Sequence, residues 1–110
     1  MSNSIYTYNH HVPKQLSNII TWARDRNLIE GSNVKNQTLK LIQEVGELSD
    51  SICKGKSPID DIGDCLVVLT ILAEQSNLTI QACLEHAWSD IKDRKGRMID
   101  GVFVKESDDA

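Results

Sequence analysis

The sequence predicts an all-α protein, a four-helix bundle completed by oligomerisation. Three observations carry this. Apolar residues recur at helical spacing in four separate segments. Proline, glycine and short polar clusters fall between those segments, where helices start and stop. One segment, Cys65 to Ala73, is apolar around its whole perimeter, so it needs cover on every side. A chain of 110 residues suits one compact domain, here taken as 1–110. Four helices of that length cover such a segment poorly, which points to a second copy of the chain.

Residues 1–12 are polar and unpatterned and read as a loose arm. His10 and His11 lie there without further ligand-spaced partners, and solvent exposure explains them. Pro13 opens helix 1, placed at 13 to 28, with Leu16, Ile19, Ile20 and Ala23 on its apolar face. Trp22 lies beside that stripe, where it can stack on a base or close the edge of the core.

The turn Glu30-Gly31-Ser32-Asn33 leads to helix 2, which starts between Asn36 and Thr38 and runs to Lys54. Leu41, Val45, Leu48 and Ile52 form its expected core stripe. Glu44 and Glu47 flank that stripe, about 60° apart on the helical wheel, and Lys40 and Ser51 share their face. Gly46 costs about 1 kcal/mol of helix propensity relative to alanine, which suggests that another helix or a ligand approaches closely there.

Lys54-Gly55-Lys56 is a helix stop. Ser57-Pro58-Ile59-Asp60 has the pattern of a helix start, with Ser57 as cap and Pro58 in the first position. Helix 3 then runs from Pro58 to Gln75. Asp61 and Asp64 head this apolar helix, and unpaired carboxylates protonate rather than stay charged when buried. Two acids here, facing two on helix 2, are best explained by a hard cation among them. Oxygen-only donors suit magnesium or manganese and disfavour zinc.

Thr79 caps helix 4, which spans Ile80 to Arg94 with Ile80, Cys83, Leu84, Ala87 and Ile91 as its stripe. Trp88 is expected in the core or at an interface, and His86 reads as structural. Lys92, Arg94, Lys95 and Arg97 cluster at its end as candidate contacts for a polyphosphate. The tail 98–110 holds an apolar run, Met98 to Val104, around an Asp100-Gly101 turn, then a frayed acidic end.

Net charge is −4, which argues against general affinity for nucleic acid. The three cysteines, Cys53, Cys65 and Cys83, match no zinc spacing and read as reduced core thiols. No signal peptide is indicated, and the longest mostly apolar run is too short to cross a bilayer, so a cytoplasmic protein with no membrane partner is expected. Glu-x-x-His motifs, EF-hand spacing and a P-loop are absent. Two acid pairs on adjacent helices are suited to metal-assisted phosphate hydrolysis, in which a carboxylate takes the proton of the attacking water.

Gln43-Glu44-Val45-Gly46-Glu47-Leu48, followed by Asp61-Ile62-Gly63-Asp64 and an apolar helix, resembles the MazG-like all-α nucleoside triphosphate pyrophosphohydrolases. Ile20-Thr21-Trp22-Ala23 and the segment from Asp93 to Lys105 add to the likeness, which covers residues 16 to 105. The resemblance implies Mg²⁺-dependent cleavage between the α- and β-phosphates of a nucleoside triphosphate, deoxynucleotides included, in a homodimer or homotetramer. It implies metal binding by Glu44, Glu47, Asp61 and Asp64, with Glu44 and Glu47 also catalytic. Lys40, Trp22, Lys92, Arg94, Lys95 and Arg97 are the candidate substrate contacts. Gln43 stands where the family usually has a first glutamate, and Asp61 replaces a usual glutamate. These departures motivate an alternative, a catalytically weak nucleotide-binding or regulatory protein that keeps the fold.

Overall fold

The structure is a computed structural model that describes residues 13–106. His10 and His11, the expected N-terminal arm and the last four residues of the acidic end lie outside the described residues. Four helices and a two-stranded sheet follow in order: α1 (Lys14–Asp25), α2 (Val34–Cys53), α3 (Ile59–Gln75), α4 (Ile80–Ile91), β1 (Gly96–Ile99) and β2 (Val102–Lys105). The chain divides into two compact units, one ending at Ile80 and one beginning at Gln81.

Helices α1, α2 and α3 make the first unit. Helix α1 stops at Asp25, three residues before the expected 28. Asn27 adopts a left-handed φ of 58°, and the amide of Leu28 donates to Ala23 O at 2.9 Å while that of Asn27 donates to Arg24 O at 3.0 Å. This paired closure satisfies the last carbonyls of the helix. The same closure ends α2 at Gly55 and α3 at Asn77, where Lys56 N reaches Ser51 O and Leu78 N reaches Ala73 O. Asn33 caps α2 by accepting from the amide of Asn36 at 2.8 Å, so that helix starts at Val34, earlier than the sequence pattern suggests. Ser57 Oγ accepts from the amide of Ile59 at 3.4 Å at the head of α3.

Helix α3 packs on both α1 and α2. Ala23, Ile29 and Ile71 form the buried cluster, with Ile20, Leu28 and Val67 against it. Two polar ties hold the α1–α2 connection to α3. Gln75 Nε2 donates to the carbonyls of Leu28 and Ile29, and Arg24 pairs with Glu74 at 3.0 Å.

The second unit holds α4 and the hairpin. Helix α4 ends at Ile91, short of the expected Arg94. The tail is not helical: β1 and β2 pair antiparallel with Ile99 opposite Val102. Asp100 and Gly101 take φ of 51° and 81°, the two left-handed residues that a tight hairpin turn needs. The chain is therefore mostly helical rather than all-α. Phe103 covers Gly96 so closely that a Cβ there would collide with its ring and with the Val104 carbonyl.

Exposed apolar rows remain on α2 and α3. Helix α2 shows Leu39, Ile42, Val45 and Ile52, and α3 shows Ile59, Ile62, Leu66 and Leu69. The perimeter of α3 that reads as fully apolar is thus incompletely covered: Val68, Thr70, Ile71 and Ala73 are buried, whereas the row Ile59, Ile62, Leu66 and Leu69 is open. Trp88, expected in a core or interface, is exposed, as is His86. The cysteines are unpaired, yet Cys53 and Cys83 are exposed and Cys65 half-buried. None is a core thiol, because the apolar rows that carry Cys53 and Cys83 face outward.

Candidate functional site

The site follows from the phase of α2. Its packed seam on α3 runs through Gln37, Leu41, Glu44, Leu48 and Ser51, the positions on α2 that are least exposed. These recur at intervals of four, three, four and three, one helical face. Val45 and Ile52, expected in the core stripe, face outward at about half exposure. Glu44 therefore does not flank the seam; it lies within it, at 8% exposure. The apolar arc of α2 is wider than the contact with α3, and the contact takes the edge of that arc that includes Glu44.

A carboxylate so covered requires compensation. Its ion-pair partner is Lys40, whose Nζ lies 3.5 Å from Oε2, one helical turn earlier. Lys40 is half exposed and Glu44 nearly covered, so the amine end of the pair meets water and the carboxylate end lies against the helices. Glu47 is exposed and accepts a hydrogen bond from Gln43 Nε2 at 3.3 Å. The neutral amide at position 43 thus positions Glu47.

Asp61 and Asp64 lie in the first turns of α3 and are half-buried, while Asp60 is exposed. Their relation to Glu44 is registered at Cys65. Burial pushes the Cys65 thiol above its ordinary pKa, and the charges of Glu44, Asp61 and Asp64 push it further in the same direction. One thiol thus feels acids from both helices. Among the described residues, no three His, Cys, Asp or Glu side chains are gathered closely enough to hold a metal ion. The donor chemistry suits a hard cation: oxygen ligands, one of them nearly covered. Holding such an ion requires these side chains to turn toward one another.

Beside Glu44 a cavity of about 330 Å³ opens between the three helices. Trp22, Gln37, Lys40, Glu44 and Asp64 line it together with Leu28, Val67, Val68 and Ile71. Its size lies at the lower end of small-molecule pockets, and its make-up, apolar walls with a few convergent polar groups, is typical of them. Trp22 is 44% exposed, with the Arg26 guanidinium 4.7 Å from its ring centre. It therefore stands at the mouth of the cavity rather than in the core. The sequence reading overlooked Gln37; its spacing of three from Lys40 and seven from Glu44 is the signal that places it on their face.

Lys92, Arg94, Lys95 and Arg97 belong to the second unit. There Arg94 is paired with Asp90 at 2.6 Å. Lys95 and Arg94 line a shallow polar cavity with Asp90, Asp93, Lys105 and Glu106, so the basic cluster is interleaved with acids. The expected close approach at Gly46 is not made by the described residues: a Cβ there would meet none of them within 4 Å.

No family model matches the chain, and no solved structure matches it. The chain is similar to an uncharacterized 18.2 kDa protein from the rep-hol intergenic region of Haemophilus phage HP1, with 46% identity over 65 residues. That match spans 57% of this chain and 40% of the phage protein. Among the described residues no single helix is long and apolar enough to cross a membrane.

Proposed function

We propose that the chain is a MazG-like nucleoside triphosphate pyrophosphohydrolase, acting in the cytoplasm with Mg²⁺ or Mn²⁺ to release a nucleoside monophosphate and pyrophosphate. The observation that carries this is the placement of Glu44. A carboxylate lies inside a helix seam, at the wall of a cavity that also presents Asp64, Lys40 and Trp22. A solvated helix face would not bury such a group.

Glu44, Glu47, Asp61 and Asp64 are the residues that would hold the ion. When bound, it would neutralise phosphate oxygens and favour ionisation of a water. Lys40 contributes a mobile positive charge at the cavity wall for a phosphate oxygen. Glu47, exposed and oriented by Gln43, takes the proton of the attacking water. Water adds to the α-phosphorus, the bond to the bridging oxygen breaks, and the electron pair leaves with pyrophosphate. Trp22 offers a face on which the base stacks.

The protein works as a homodimer or homotetramer in this reading. Support comes from the outward apolar rows of α2 and α3, which a monomer leaves in water. Incubation with each NTP and dNTP plus Mg²⁺, with pyrophosphate as readout, tests the activity. Release is expected and should fall by about 100-fold in Glu47→Gln, the scale of a lost general base. No release from any nucleotide overturns the hydrolase reading. Nucleotide binding without release would favour the non-catalytic alternative that Gln43 motivates.

A further inference from the structure

We infer that Gln37 reads the base, a role that rests on the nucleotide reading of the cavity. Gln37 lines the cavity together with Trp22, on the same helix face as Lys40 and Glu44. The order along α2 is therefore amide, amine, carboxylate. Lys40 and Glu44 are suited to the charged end of a ligand, and Gln37, a turn closer to the start of α2, is suited to the uncharged end. An amide presents a donor and an acceptor side by side. Nucleobase edges present the same adjacent pair, which is why glutamine and asparagine bind adenine through two hydrogen bonds.

Gln37 is also held. Its Nε2 donates to Ser32 Oγ at 3.1 Å, a contact with the residue just before the α2 cap. This bond leaves the second N–H and the Oε1 lone pairs for a ligand. Gln37 is half-buried, so an edge that fails to pair with it leaves a partly covered amide unsatisfied, and discrimination follows from that mismatch. Ser32 is then a positioning residue: it fixes the plane of the amide without touching the ligand.

The test is calorimetric titration of the full chain with the four deoxynucleoside monophosphates, in parallel with pyrophosphate release from the four triphosphates. Three variants are compared with the natural chain: Gln37→Leu, Gln37→Glu and Ser32→Ala. Circular dichroism melts check that each is folded. Gln37→Leu should compress the spread of affinities among the bases by about tenfold. Gln37→Glu is acceptor-only, so it should shift preference toward adenine, cytosine and guanine, whose exocyclic amino groups donate, and away from thymine, which has none. Ser32→Ala should compress the spread less than Gln37→Leu does. An unchanged order and spread of affinities in folded Gln37→Leu and Gln37→Glu overturns the inference. Base-dependent binding that responds to position 37, without pyrophosphate release, upholds Gln37 while overturning hydrolysis. Failure of the natural chain to bind any of the nucleotides overturns both.

Discussion

Lys40 Nζ lies 3.5 Å from Glu44 Oε2, and the two ends of this pair meet water very unequally. The amine is half exposed and the carboxylate nearly covered, so each partner's removal has a different effect. Lys40→Ala leaves a covered carboxylate alone and should lower stability by about 1 kcal/mol, below the cost for a fully buried pair because the amine is wet. Glu44→Gln keeps the shape and removes the charge, so stability should hold or rise. The same variant should abolish the Mg²⁺-dependent thermal shift that mass action requires of a bound ion. Thermal denaturation with and without Mg²⁺ reads all three effects.

Cys65 should be the least readily alkylated of the three thiols. Burial, and then Glu44, Asp61 and Asp64, raise its pKa. The thiolate is the reacting form, so its rate of reaction with iodoacetamide should climb at higher pH than that of free cysteine. Asp61→Asn and Asp64→Asn each remove a charge that opposes ionisation and should move the Cys65 profile toward lower pH. Mass-spectrometric labelling across a pH series checks this site by site. A Cys65 profile that coincides with that of free cysteine, or that neither asparagine variant moves, would contradict the convergence of acids on that thiol.

Three glycines should respond in opposite senses. Gly46 has open space around it, so Gly46→Ala should stabilise the isolated chain by about 1 kcal/mol through helix propensity. Gly55 sits at φ 71°, where a Cβ costs about 1–2 kcal/mol, so Gly55→Ala should destabilise α2. Gly96→Ala would collide with Phe103 and the Val104 carbonyl and should open the hairpin, seen as lost strand signal by NMR. Should Gly46→Ala stabilise the fold yet impair assembly or turnover, the neighbour that excludes a side chain there comes from outside the described residues.

The row Ile59, Ile62, Leu66 and Leu69 on α3 is the test of self-association. Charges placed in its middle, in Ile62→Lys combined with Leu66→Lys, should shift the sedimentation profile to the monomer while leaving helix content unchanged. A natural chain that already sediments as a monomer at micromolar concentration would contradict the oligomer.

The helices were legible because their boundaries are chemical. Pro13, Ser57-Pro58 and Lys54-Gly55 announce starts and stops in any context. Asn27 is subtler: asparagine tolerates the left-handed region without requiring it, so the charged run Arg24 to Asn27 reads equally well as continued helix. The hairpin escaped for a related reason. Asp100-Gly101 announces a turn, but Val102, Phe103 and Val104 show no alternation, and period is what separates a strand from a packed coil. In the site, the acids were legible as residues and their depth was not. Leu41, Val45, Leu48 and Ile52 make a better stripe on paper than the one α2 buries, because periodicity locates an apolar arc but not which edge of it a neighbour covers. Gln37 was lost with that phase.

With Glu44 inside the seam, the carboxylate of the proposed site and the helix contact share one register. Inserting or deleting a single residue between Asn33 and Lys40 would turn the rest of α2 by about 100° relative to its cap. Leu41 and Leu48 could be replaced in the seam by other apolar positions of the broad arc, so such a chain could still fold. Glu44 would leave the cavity wall in that case. Length changes in these first two turns are therefore tolerated by the fold and decisive for the proposed chemistry, and the spacing from Asn33 to Glu44 is the quantity to compare when related sequences are searched for the same site.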